Sequence, residues 1–210
     1  MRRLGLALPL LLSPAAAQSG GVPQEVSPAL LSQLRAGGLV LYFRHFDTQG
    51  ADAPNVTPGD CTTQRLLSAQ GRANARAVGS LLRELRLPIG TVLSGEYCRN
   101  RESAALLAGR VTPTPALNNP YFRTGTEADR QRVTANLRAL LGTPPRAGTN
   151  TLIVTHEQNL RLTTGWMLAE GEAAVLRPRP DGSFTVLARV TRAGWQAALR
   201  IGRPGAFPRM

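Results

Sequence analysis

The 210-residue chain contains no lysine; all 25 of its basic residues are arginine, and they face 13 acidic residues for a formal charge of +12. Aromatic residues make up only 5%, and there are two cysteines and two histidines. Each scarcity excludes a class. Two cysteines are too few for a disulfide-rich miniprotein, and the glycines keep no three-residue period, so the chain is not collagen-like. No heptad pattern runs on, which excludes a coiled coil. The arginines are scattered, with no dense basic run and few aromatics between them, so the footprint of a nucleic-acid binder is missing. A small anionic substrate needs only a few arginines at one site and fits the charge better. There is no P-loop, no G-x-G-x-x-G and no G-x-S-x-G, which removes the markers of nucleotide folds and serine hydrolases. No stretch is long and apolar enough to span a membrane. What is present, 42% hydrophobic residues with 18% charged, suits one globular domain with a real core.

The first residues read as a targeting segment. Met1-Arg2-Arg3 is a short basic start, Leu4 to Leu12 is apolar, and Ala15-Ala16-Ala17 supplies small residues for cleavage. Residues 1–17 are therefore expected to be a secretory signal peptide, leaving 18–210 as a single domain exported to the periplasm or secreted. An oxidising compartment favours a bridge between Cys61 and Cys98. Closing that loop is worth about 4 kcal/mol in the chain-entropy model.

Along the mature chain, apolar runs alternate with helical periodicity. Leu39–Phe43 is a continuous apolar run of strand length, as in strands buried on both faces. Thr91–Leu93 and Thr151–Val154 are two more strands, and 175–176 with 184–187 form a hairpin across Pro180-Asp181-Gly182. Helices are expected over 28–34, from Ser68 to about Arg86, over 99–108, from Thr126 through Leu141, and from the third strand to about Leu168. A last helix holds Trp195 and Leu199. Ser68 and Thr126 are candidate N-caps, and 46–60 is expected to be irregular. Strands alternating with helices imply an α/β fold: a three-layer sandwich with a mainly parallel central sheet and helices on both faces.

Both histidines follow a predicted buried strand: His45 comes after 39–43 and His156 after 151–154. Arg44 precedes His45, and the strand at 91–93 leads into Ser94-Gly95-Glu96-Tyr97-Cys98-Arg99. Open α/β sheets bind ligands at the carboxyl ends of their strands, so two imidazoles and two guanidiniums converge on one rim. Nothing carboxylate-rich accompanies them, so a metal site is poorly supported. Arginine forks match phosphate oxygens in pairs, and an imidazole held at one nitrogen is a nucleophile at the other. The set suits a phosphoryl group, whether it is turned over or merely held.

At these residues the sequence resembles the histidine phosphatase, or phosphoglycerate mutase-like, superfamily. Four blocks carry the resemblance in order: LYFRHFDT (41–48), RLLSAQGRANARAVG (65–79), SGEYCRNRESA (94–104) and TLIVTHEQNL (151–160). The resemblance implies that His45 is the nucleophile that becomes phosphohistidine. Arg44 and Arg99 would bind phosphate, with Arg101 the fallback for Arg99, and His156 would contact the phosphoryl oxygens. It implies a metal-independent phosphomonoesterase with no cofactor, a small phosphorylated substrate, and a monomer or dimer. Two departures stand out. Phe46 replaces the usual glycine and is expected to wall and narrow the pocket. The usual acidic proton donor is not evident at Leu117-Asn118-Asn119-Pro120, so Glu157, directly after His156, is the leading donor, with Glu96 and Asp47 behind it. The rival readings are a phosphoramidase acting on phosphohistidine and an anion-binding pseudoenzyme.

Overall fold

The computed structural model describes residues 26–202; the signal peptide expected over 1–17 lies outside them. In chain order the elements are α1 (Pro28–Ala36), β1 (Val40–Arg44), β2 (Thr48–Gln49), β3 (Leu66–Leu67), α2 (Ala69–Glu84), β4 (Ile89–Ser94), α3 (Cys98–Ala108) and β5 (Thr112–Pro113). They continue with α4 (Tyr121–Thr124), α5 (Glu127–Gly142), β6 (Asn150–Thr155), α6 (Glu157–Thr164), β7 (Ala173–Pro178), β8 (Phe184–Val190) and α7 (Arg192–Gly202). Six strands form one sheet in the order β5-β4-β6-β1-β7-β8. The first four run parallel, and β7 and β8 add an antiparallel hairpin at one edge. This is the expected mainly parallel sheet.

β1 shows why both faces of the sheet must be covered. Successive side chains point to opposite faces, and here all but the last are apolar. Leu41 and Phe43 enter one core with Leu34 of α1, Val78 and Leu82 of α2, Leu107 of α3 and Trp195 of α7. Val40 and Tyr42 enter the other with Leu137 and Leu141 of α5 and Leu160 of α6. The result is three layers, helix–sheet–helix. Ser68 and Thr126 cap α2 and α5 as expected, accepting from the N–H groups of Gly71 and Asp129 at 2.9 and 3.2 Å.

The differences are local. Within the stretch expected to be irregular, β2 forms and pairs with β3, which lies beyond it, as a short antiparallel ribbon; two-residue strands carry too little alternation to be legible. The helix after β6 ends at Thr164 rather than near Leu168, because Gly165 takes a left-handed conformation (φ 79°) and closes the last turn onto the Arg161 carbonyl. The four-residue α4 was not expected at all.

Asn150 fastens the end of the sheet away from the histidines. It is fully buried. Its Oδ1 accepts from the Leu39 N–H at 3.1 Å, and its Nδ2 donates to the carbonyls of Leu34 (2.7 Å) and Pro88 (3.2 Å). One side chain thus joins the end of α1, the approach to β1 and the approach to β4. Asn150→Ala removes all three bonds and strands buried backbone groups. It should lower the unfolding free energy by about 2–4 kcal/mol, measured by urea titration; a loss below about 0.5 kcal/mol would show that the junction holds without it.

Candidate active site

The site is built by strand register. β1 and β6 pair in parallel up to Arg44↔Thr155, and the His45 N–H donates to the Thr155 carbonyl at 3.0 Å. The next residues, His45 and His156, therefore emerge side by side, with ring centroids 5.4 Å apart and planes 78° apart. β4 flanks β6 on its other side, with Ser94 opposite Val154, and its exit into α3 brings Arg99 to the same rim. A pocket of about 320 Å³ contains all five residues read from the sequence: Arg44, His45, Arg99, His156 and Glu157. It also contains Asp52, Arg65, Phe122 and Gln158, which sequence reasoning missed.

Both imidazoles are buried, His45 to 1% and His156 to 9% exposure. His45 Nδ1 lies 2.9 Å from the Phe46 carbonyl oxygen. A carbonyl only accepts, so Nδ1 carries the proton and Nε2 keeps a free lone pair. The Gly171 N–H donates to the His45 carbonyl at 3.1 Å, and the Phe46 N–H to Ser103 Oγ at 3.1 Å. His156 is held by the Tyr42 hydroxyl, which donates to its carbonyl at 2.6 Å, and by the Asn100 amide, 3.3 Å from Nε2. Burial pushes the Tyr42 phenol well above its ordinary value, so it stays a neutral donor.

Phe46 does not narrow the pocket. Its side chain is 1% exposed and lies in the core, 6.4 Å from the Phe43 ring. It packs against Gly171 so closely that a Cβ there would lie 2.8 Å from the ring. Burying a phenyl ring on the sheet is worth about 1.5–3 kcal/mol, which decides the direction it takes.

The arginines are braced unequally. Arg44 donates to the Leu168 carbonyl at 3.0 Å and lies 3.5 Å from Glu170 Oε1, which also accepts from Thr48 Oγ1 at 3.2 Å. Arg99 makes a two-pronged contact with Asp52, at 3.0 and 3.5 Å, and stands 4.8 Å from the centre of the Tyr97 ring. Arg65 Nε is 3.8 Å from the same carboxylate. The Nε atoms of Arg65 and Arg99 are buried without hydrogen-bond partners. The guanidiniums of Arg44, Arg65 and Arg99 line the pocket beside two neutral imidazoles, a set that can receive an anion with several oxygens. The Cys61–Cys98 disulfide is formed. It ties the segment after Asp52 to the residue preceding Arg99, and the Cys98 N–H donates to Gln64 Oε1 at 2.9 Å.

Arg101 takes no part: it is exposed and faces a separate cavity beside the disulfide. As first-turn neighbours on α3, Arg99 and Arg101 point to different sides, so the fallback assignment falls away. Of the three acids considered, Asp47 accepts from Asn74 Nδ2 at 3.1 Å and Glu96 from Asn118 Nδ2 at 2.6 Å, and neither lines the pocket. Glu157 does line it, with Oε1 3.1 Å from Arg161 Nε.

No family model matches the chain, and no curated protein matches it. Solved structures do. The protein histidine phosphatase SixA complexed with tungstate superposes with a TM-score of 0.53 at 17% identity, over 74% of this chain and 97% of that one. The alpha-ribazole phosphatase from Shigella flexneri gives 0.53 at 17%, over 73% and 96%. A phosphoserine phosphatase mutant from Entamoeba histolytica in complex with phosphoserine gives 0.51 at 12%, over 74% and 98%. The chain therefore has the fold of the phosphoglycerate mutase-like histidine phosphatases, over nearly the whole of each of these domains.

The electrostatics set a pH dependence. Burial, above all, pushes His45 down to about 3; the Phe46 carbonyl pulls it up, and Arg99, Arg44 and Arg65 push it further down. Burial also lowers His156, followed by His45 and the arginines. In the unfolded chain each imidazole takes up a proton below about pH 6.5, whereas the folded pocket resists it. Stability from these two groups is thus fully present above about pH 6.5 and is lost as pH falls toward 3. Urea midpoints should drop between pH 7 and 4.5, and His45→Gln should make that drop shallower. Equal slopes for wild type and variant would mean that His45 is not held neutral.

Proposed function

We propose that this chain is a phosphatase that hydrolyses small phosphomonoesters through a phosphohistidine on His45, without a metal. The observation that carries the reading is His45 itself: Nδ1 is held by the Phe46 carbonyl, so Nε2 is the nucleophilic atom in a pocket ringed by Arg44, Arg65 and Arg99. Nε2 attacks phosphorus while the ester P–O bond breaks, and its electron pair leaves with the alcohol oxygen. Charge on the three equatorial oxygens is met by the guanidiniums and by His156. Glu157 is the acid assigned to protonate the departing oxygen. Water then attacks phosphorus and loses its proton to Glu157. The N–P bond breaks, its electrons return to Nε2, and inorganic phosphate is released.

A second reading has specific support. The loop at 117–120 offers the amides of Asn118 and Asn119 instead of a carboxyl, and Glu157 is drawn into an ion pair with Arg161. A pocket short of acid suits an N–P bond, whose leaving group needs less proton help, so phosphohistidine is the alternative substrate. The fold likeness to SixA fits this alternative, and the disulfide fits an exported protein.

Turnover with ³²P-labelled substrate followed by a rapid quench should trap acid-labile phosphate on protein. His45→Ala should remove both label and activity, and wild-type turnover in that variant would end the mechanism. Phosphate binding without turnover in the wild type would favour the pseudoenzyme. Glu157→Gln should slow an alkyl phosphate by about a hundredfold or more and an aryl phosphate much less. Equal small losses on both would assign Glu157 to its pair with Arg161. A screen across phosphorylated sugars, nucleotides, lipopolysaccharide fragments and phosphopeptides, with purified protein, addresses the natural substrate.

A further inference from the structure

We propose that Phe122 is a specificity-determining residue of this pocket and that it selects phosphate compounds whose leaving group is a flat aromatic ring. For the reaction, this deepens the phosphatase reading above; for binding, it stands apart from it. Among the described residues three large apolar side chains are exposed: Phe122, Met167 and Ile201. Of these, only Phe122 lines the pocket of the two histidines, and it does so while 42% exposed. Its ring lies 6.4 Å from the His156 ring and 6.3 Å from that of Tyr97. Tyr97 is buried and meets His156 edge-on at 4.9 Å. A run of three rings therefore leads from solvent to the reacting centre, and its outermost member is partly open to solvent.

The platform is anchored. The next residue, Arg123, donates to the Val56 carbonyl and, at 2.8 Å, to the Pro54 carbonyl. Those bonds tie α4 to the loop after Asp52, which the disulfide secures further along. An aromatic side chain at the rim of a polar pocket favours a stacked ring over a hydrated alkyl chain by about two- to tenfold in binding.

An independent line leads to the same class. Of the carboxylates around the site, Asp52 is engaged by Arg99, Glu170 by Arg44 and Thr48, Glu96 by Asn118 and Asp47 by Asn74, so proton supply rests on Glu157 alone, which itself lies 3.1 Å from Arg161 Nε. A phenolate, whose conjugate acid resembles tyrosine at about 10, departs with little proton help, whereas an alkoxide does not. A ring linked through oxygen and an imidazole linked through nitrogen share this chemistry, and the assay separates them.

The test is calorimetric titration of the purified protein with phenylphosphonate and methylphosphonate, neither of which can be hydrolysed at a P–O ester bond. Wild type should prefer the phenyl compound. Phe122→Ala should shrink that preference by about two- to tenfold, and Phe122→Trp should preserve it. An unchanged phenyl-to-methyl ratio in Phe122→Ala overturns the proposal. In parallel, the kcat/KM ratio of phenyl phosphate to glycerol phosphate should fall in Phe122→Ala; phosphoimidazole replaces phenyl phosphate in a second arm. Whichever ring substrate wild type turns over faster identifies the linkage, and the proposal requires that arm to be the one that depends on Phe122. If wild type shows the Phe122-dependent binding preference but turns over neither substrate, the phosphatase reading fails and the ring platform stands. If it turns over esters with no dependence on Phe122, only the platform fails.

Discussion

The hydrogen bond from the His45 N–H to the Thr155 carbonyl, 3.0 Å long, is the constraint on which the site depends. It continues the β1–β6 ladder one step past the last paired residues, Arg44 and Thr155. That step is where both strands release their histidines. A slip of one residue would exchange the two faces of a strand, driving Leu41 and Phe43 into the core shaped around Val40 and Tyr42, and those two into the other. The register is therefore enforced by the same alternation that fills the two cores, Leu41 and Phe43 on one side, Val40 and Tyr42 on the other. Packing energy spread over the sheet fixes the separation of the two imidazoles.

Keeping those imidazoles neutral requires that they be dry, and dryness is costly for the arginines beside them. Burial disfavours the charge on Arg99, and the carboxylate of Asp52 opposes that effect. Asp52 meets only the terminal nitrogens of Arg99, at 3.0 and 3.5 Å, so the brace leaves part of the five-donor guanidinium unspent. The disulfide limits how far the brace can drift: Cys61 is joined to Cys98 at the first turn of α3, next to Arg99 itself. The loop closure that stabilises the fold and the positioning of Arg99 on the pocket are one covalent feature.

How much of this was legible in the sequence follows from where each residue sits. The long parallel strands announce themselves as continuous apolar runs, so the sheet, and with it His45, Arg44 and His156, was readable. Arg99 was readable because it stands a fixed few residues beyond β4. Asp52, Arg65 and Phe122 were not. They lie in segments rich in Gly, Pro, Asn and Thr, where no periodicity says which side chains turn inward, and they reach the pocket through tertiary contacts alone. Asn100 was missed for a different reason. It follows Arg99 on α3, and its role is to meet His156, an association between residues 56 positions apart that no local pattern encodes.

Phe46 shows the limit of reading function from a single side chain. At that position the resembling superfamily has glycine, and a phenyl ring there suggests an obstructed pocket. The structure separates what the backbone does from what the side chain does. The backbone at this position supplies the Phe46 carbonyl, which holds His45 Nδ1, and the Phe46 N–H, which donates to Ser103 Oγ. Neither requires glycine. The ring turns to the opposite side, joins Phe43 in the core, and takes the space left by Gly171, whose positive φ of 76° and missing Cβ allow the close approach. The same glycine donates its N–H to the His45 carbonyl. A large residue has been accommodated beside the proposed nucleophile because the small one that makes room for it lies 125 residues downstream in the segment that also pins His45. Departure from a signature at the level of side chains is thus compatible with the signature's backbone geometry, provided that a compensating vacancy exists elsewhere in the fold.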